Sequence, residues 1–152
     1  MLDARAAARY RVRQAMIPPR LRRAFESTHY RVRSPAGAFV LKVGRRSAVL
    51  ALRARQLNEP GSVLVTAWNP AGRRRSLAAN RAAERRLLQR LRAWGLKFWM
   101  AVAQDPKALW PDEHGLLVFG VPQRLAAELG RALGQQAVLF VGSDNVPRLV
   151  WL

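Results

Sequence analysis

The sequence predicts an α+β domain in which helices pack on a mixed, largely antiparallel sheet. Three observations lead there. Short β-branched runs bounded by turn residues recur in neighbouring pairs, as hairpins do. Between them lie longer stretches whose apolar residues follow helical spacing. A chain of 152 residues also suits one domain, which at this size buries about 70% of the extended chain's surface and needs no disulfide or metal staple.

The first 18 residues read as a basic N-terminal arm, frayed or helical, and residues 19–152 as a single α+β domain. Leu2 to Gln14 carries Arg5, Arg9, Arg11 and Arg13 but lacks the apolar stretch of a secretory signal. Its Arg-rich, acid-poor make-up has the outward look of an organelle transit peptide, yet the serine enrichment of those segments is missing. Pro18-Pro19 breaks the arm from the rest, and Pro19 suits the start of a short helix over Arg20 to Ser27. His29 to Arg33 alternates like a strand, turns at Ser34-Pro35-Ala36-Gly37, and returns as Ala38 to Val43. Ser47 is placed to cap a helix through Leu57, which Asn58-Glu59-Pro60-Gly61 ends.

Ser62 to Ala67 is a short apolar run and reads as a buried central strand. After a loop from Trp68 to Ser76 comes the clearest helix, Leu77 to Trp94, with Leu87, Leu88, Leu91 and Trp94 at helical spacing and Gly95 placed to stop it. Lys97 to Ala103 and Gly115 to Phe119 read as strands around the loop Asp105 to His114. Gln123 to Leu133 reads as a helix, and Ala137 to Val141 with Arg148 to Leu152 as a last strand pair. The expected order is α-ββ-α-β-α-ββ-α-ββ, without internal repeats.

Charge is the main functional signal. Lys plus Arg number 27 against 9 Asp plus Glu, a net +18. Such an excess attracts polyanions, so RNA, DNA or another polyanion is the expected partner. The competing reading is codon bias, since the cations are nearly all arginine in an alanine-rich chain, but that bias does not by itself explain so few acids. There are no cysteines, which removes disulfides, thiolate metal sites and a cysteine nucleophile, and fits a reducing cytoplasm. His29 and His114 are far apart without ligand-like spacing, and no metal or cofactor is expected. No apolar run reaches the ~18 residues of a membrane span. Nucleotide-binding loops, a nucleophile elbow and the aromatic strands of RNA-recognition sheets are also absent from the sequence.

The most informative segment is Thr66-Ala67-Trp68-Asn69-Pro70, followed by Asn80-Arg81. A strand leading through a polar loop into a helix is a common binding-site frame, because the helix N-terminus offers free N–H groups and partial positive charge. Arg73, Arg74 and Arg75 stand just before that terminus, although a Ser76 cap competes for its amides. Preceding Pro70, Asn69 is expected to be extended with its amide projecting sideways, either toward a ligand or into an Asx-type turn. Arg81, Arg85 and Arg92 share one flank of the long helix, either as a solvated face or as phosphate ligands. Glu113, with Asp112 beside it, is a candidate general acid or base, with a salt bridge to one of the arginines as the alternative. Gly134 suits a helix C-cap, while Gln135 reads as a hydrogen-bonding ligand or an exposed loop residue.

In order, Val65-Thr66-Ala67-Trp68-Asn69-Pro70, Asn80-Arg81, Leu88 and Leu91, Trp110 to Glu113, Leu117 to Gly120 and Gly134-Gln135-Gln136-Ala137 resemble the bacterial family known as domain of unknown function 3293. The likeness runs from about Thr28 to the C-terminus. It implies a polar cluster of Thr66, Asn69, Asn80, Arg81, Glu113 and Gln135, with no catalytic role to carry over. Ala71 to Arg75 fall where the family loop varies, so the arginine triplet is expected to be a feature of this member.

Three functions follow as expectations. The first is nucleic-acid or other polyanion binding through Arg73, Arg74, Arg75, Arg81, Arg85 and Arg92. The second is an enzyme or sensor for a small phosphorylated or carboxylated molecule, oriented by Asn69, Asn80 and Gln135, neutralised by Arg81 and served by Glu113. The third is a module that recognises an acidic protein.

Overall fold

Alternating apolar residues build the sheet. The computed structural model describes residues 3–152, so Met1 and Leu2 of the basic arm lie outside the described residues, as do the side chains of Tyr10 and Arg13. Among the described residues seven strands form one sheet: β1 (His29–Ser34), β2 (Gly37–Leu41), β3 (Ser62–Val65), β4 (Phe98–Gln104), β5 (Glu113–Phe119), β6 (Ala137–Val141) and β7 (Pro147–Trp151). Their spatial order is β2-β1-β4-β5-β3-β6-β7, and every pairing is antiparallel. The hairpins β1–β2, β4–β5 and β6–β7 follow the neighbouring runs in the sequence, and β3 is inserted between β5 and β6.

Both faces of the central strands are buried because helices cover each side. Leu64, Leu117, Phe119, Leu139 and Val141 pack on one face with Leu50 from α3 (Ala48–Leu57). Val63, Val65, Leu116, Val118 and Val138 pack on the other, against Leu87 and Leu91 of α4 (Leu77–Ala93) and Ala126 of α5 (Gln123–Ala132). Each fully buried aliphatic side chain here contributes roughly 1.5–3 kcal/mol relative to exposure. The arm is helical as α1 (Ala4–Met16), with the Asp3 carboxylate accepting from the Arg5 N–H at 3.2 Å. It is tied to α2 (Pro19–Ser27) by Arg22, whose Nη2 donates to the Gln14 carbonyl at 2.7 Å. Phe25 and Arg22 of α2 in turn lie against Trp151 of β7.

The expected caps are present. Ser47 and Ser76 accept from Leu50 and Ala79 N–H at 3.1 and 3.2 Å, starting α3 and α4. Several boundaries differ by one or two residues. β3 stops at Val65 rather than Ala67, and β2 at Leu41 rather than Val43. β5 starts at Glu113 rather than Gly115, since Glu113 and His114 still pair with Ala103 and Val102. Among the described residues no helix is long and apolar enough to cross a membrane.

The pairings Val65–Leu116 and Leu64–Leu139 set the C-terminal end of β3 beside the starts of β5 and β6. Gly115 allows that closeness: a Cβ there would stand 2.7 Å from the Val65 carbonyl oxygen. Residues just past β3, just before β6 and at the start of β5 therefore meet at one end of the sheet.

Candidate functional site

The chain leaving β3 is fixed by Thr66. Its hydroxyl donates to the His114 carbonyl at 2.6 Å and accepts from the Trp68 N–H at 3.0 Å, which turns the backbone across the strand ends. The Trp68 ring is buried and stacks on the exposed His114 ring, with centroids 4.8 Å apart and planes 8° from parallel. Gln135, just past α5, donates from Nε2 to the Trp68 carbonyl at 3.0 Å.

Asn69 departs from the extended conformation expected before proline. It is left-handed, at φ 45° and ψ 57°, and neither projects freely nor forms an Asx-type turn. Asn tolerates this region better than most residues, and the surrounding bonds over-determine it. Its backbone N–H donates to Asn80 Oδ1 at 3.0 Å, and its own Oδ1 accepts from Asn80 Nδ2 at 3.0 Å and from the Arg75 N–H at 2.9 Å. Asn69 Nδ2 donates to Glu113 Oε1 at 2.8 Å. Asn80, on the first turns of α4, is only 3% exposed, so its amide is a buried clamp rather than a free ligand. Ala71 is also left-handed, at φ 55°, and its N–H donates to the Gly134 carbonyl at 2.7 Å. Gly134, at φ +69°, is held so close that an added Cβ would touch Pro70 at 3.0 Å. Strain of this kind persists where neighbours enforce it.

Glu113 is half-buried, and burial raises its carboxyl pKa against the opposing Asn69 hydrogen bond. Its charge also reaches Tyr30, which lies in the same cross-strand row through Ala103. There burial drives the phenol pKa up, the Thr28 side chain opposes the shift, and Glu113 adds to it. Asp112 instead accepts from Gln104 at 3.0 Å, so the neighbouring acids serve different partners and, among the described residues, form neither a pair nor a salt bridge.

Five of the six residues in the expected polar cluster thus converge: Thr66, Asn69, Asn80, Glu113 and Gln135. Their bonds run to one another and to backbone. Arg81 follows Asn80 but stands on the exposed side of α4, outside this hydrogen-bonded set. Trp68 and His114 belong to the same knot; Trp68 lies inside the Thr66-to-Pro70 motif, while nothing near His114 in the sequence signals the stack. Trp68 Nε1 and Glu84 Oε1 are buried without a hydrogen-bond partner among the described residues. No group of three or more His, Cys, Asp or Glu side chains gathers among the described residues to hold a metal.

The arginines lie outside the knot, three on its loop and three along α4, where Arg92 is in the last turn with its guanidinium 5.9 Å from the Phe98 ring centre. Arg73, Arg74 and Arg75 are exposed on the loop that Asn69 anchors through the Arg75 N–H. Arg81, Arg85 and Arg92 are exposed along one flank of α4, whose first turn contains no acid. The ion pairs among the described residues are Lys97–Glu59, Arg124–Glu128 and Arg148–Asp144, and none involves these six arginines.

Residues 65–138 match the family described as protein of unknown function (DUF3293), the family whose motif order the sequence resembles. The match covers just under half of the chain and contains every motif from Val65 to Ala137, while Thr28 to Leu64 lie outside it. No curated protein and no solved structure matches the chain.

Proposed function

We propose that this DUF3293-like chain is a non-enzymatic domain that binds the phosphate backbone of RNA or DNA through a clamped arginine loop and the adjoining flank of α4. The observation that carries this reading is the division of labour at the end of β3. The polar side chains suited to a small ligand are bonded to each other, whereas the six arginines of the adjoining loop and α4 flank are exposed and, among the described residues, make no ion pair. Holding the loop in one conformation before binding lowers the ordering cost that a flexible Arg-Arg-Arg segment would incur. The positive end of α4, carrying no acid in its first turn, adds to the same field.

Contacts of this kind position a protein on phosphates without reading sequence, and they weaken steeply with salt. The cysteine-free composition fits work in a reducing cytoplasm. Filter binding of a single-stranded RNA and a duplex DNA across a salt series tests the proposal. Retention at low salt that falls linearly on a log–log plot is the expected result. Absence of retention of either nucleic acid at low salt rejects it.

A further inference from the structure

A groove of about 690 Å³ opens between α4 and α5, within the roughly 300–1,000 Å³ of small-ligand sites. It exists because Ala67, Ala83 and Ala132 line it with small side chains where larger ones would fill the space. Leu87 and Leu129 supply apolar wall, and Trp94, which also lines it, is 60% exposed. An apolar hollow open to water favours an apolar guest.

Its charges narrow the class of guest. Arg86 and Arg90 line the groove and lie one helical turn apart, about 6 Å along the axis. Neither makes an ion pair among the described residues. The acid in the lining, Glu128, is already beside Arg124 at 3.9 Å, both exposed. A second copy of the chain is disfavoured, because two such rims on molecules of net +18 would repel. By helical angle, Arg86 and Arg90 lie on the flank of α4 away from Arg81, Arg85 and Arg92, so the groove's arginines are distinct from those assigned to phosphate, while Ala67 and Pro70 in its lining belong to the segment leading into the arginine loop.

We infer that the groove binds a long-chain aliphatic carboxylate. The chain lies against Ala83, Leu87 and Leu129, and the carboxylate sits between Arg86 and Arg90. Dodecanoate, kept below its aggregation concentration, is the probe. Trp94 fluorescence reports binding, Trp94→Phe supplies the blank for that signal, and calorimetry gives the stoichiometry. One dodecanoate should bind per chain, with butyrate weaker by about a hundredfold or more because it buries far less chain. The positively charged dodecyltrimethylammonium should not compete. Arg86→Gln with Arg90→Gln should weaken dodecanoate about tenfold, the size of a lost charge-assisted contact.

Ala132→Phe, at an exposed helix position, should block the groove, and Ala83→Leu is a second filler should the first disturb folding. The Arg73/Arg74/Arg75→Gln variant should keep dodecanoate binding, which separates this inference from the nucleic-acid reading. Butyrate or the cationic amphiphile matching dodecanoate would overturn the inference. So would unchanged binding in folded filler variants, an absence of saturable binding, or an acidic amphipathic peptide binding where dodecanoate does not.

Discussion

Replacing Arg73, Arg74 and Arg75 together by Gln removes half of the six exposed arginines assigned to phosphate while leaving their loop in place. The loop depends on Asn69, Asn80, Thr66 and Gln135, and the triplet contributes to it only backbone N–H groups, those of Arg73 to the Pro70 carbonyl and of Arg75 to Asn69 Oδ1, which the substitutions keep. If each arginine neutralises one phosphate of a duplex, log K falls with log salt at a slope of about −5 for the parent and about −3 for the variant. Between about 50 and about 200 mM salt, a fourfold change, the parent should therefore lose roughly a thousandfold in affinity and the variant roughly sixtyfold. Filter binding of both proteins to one duplex across that range measures the two slopes. Equal slopes, with melting curves showing both proteins folded, would refute the assignment of the loop to phosphate. An equal loss of affinity at every salt concentration would refute it too, because counterion release would not be the cause.

Asn80→Ala removes both clamp bonds to Asn69 from a buried position and should cost about 2–4 kcal/mol in chemical denaturation; a loss below about 0.5 kcal/mol would mean the knot does not hold the loop. Ala71→Gly should be neutral or stabilising by up to about 1 kcal/mol, since relief of a left-handed alanine offsets the extra freedom of the unfolded chain, and a clear destabilisation would contradict that. Glu113 has a folded pKa above its unfolded value, so its contribution is full below the unfolded pKa and is lost as pH rises through the raised folded one. Glu113→Gln keeps an acceptor for Asn69 and removes the charge, so the parent should lose stability relative to the variant from acid to neutral pH in thermal melts; a parent that gains on the variant over that range would show the sign to be wrong.

Much of the architecture is legible in the sequence because local and tertiary preferences agree there. Val63 to Val65 is apolar on both faces, as a strand between two helical layers must be, and Ser76 and Gly95 bound α4 where its leucines begin and end. Thr66, Asn69, Asn80, Glu113 and Gln135 are legible as one cluster through motif order alone, since they are distant in the chain and meet only where the end of β3, the first turns of α4, the start of β5 and the loop after α5 come together. What the cluster does was not legible. The pre-proline rule points Asn69 to an extended backbone, and only four bonds, from α4, β5 and its own loop at Arg75, reverse it. Arg81 follows the buried Asn80, but the helix turns it about 100° away toward solvent. The groove between α4 and α5 arises from alanines on segments far apart in sequence, a deficit of volume that no local pattern marks.

Arginine side-chain Nε–H resonances, followed by NMR while an oligonucleotide is added at low salt, report where phosphate arrives. Shifts concentrated in Arg73, Arg74, Arg75, Arg81, Arg85 and Arg92 are the expected outcome, with Arg31 and Arg33 on β1 remaining still. Shifts spread evenly over all resolved arginines, or none at all, would contradict a dedicated phosphate-binding surface on this loop and helix.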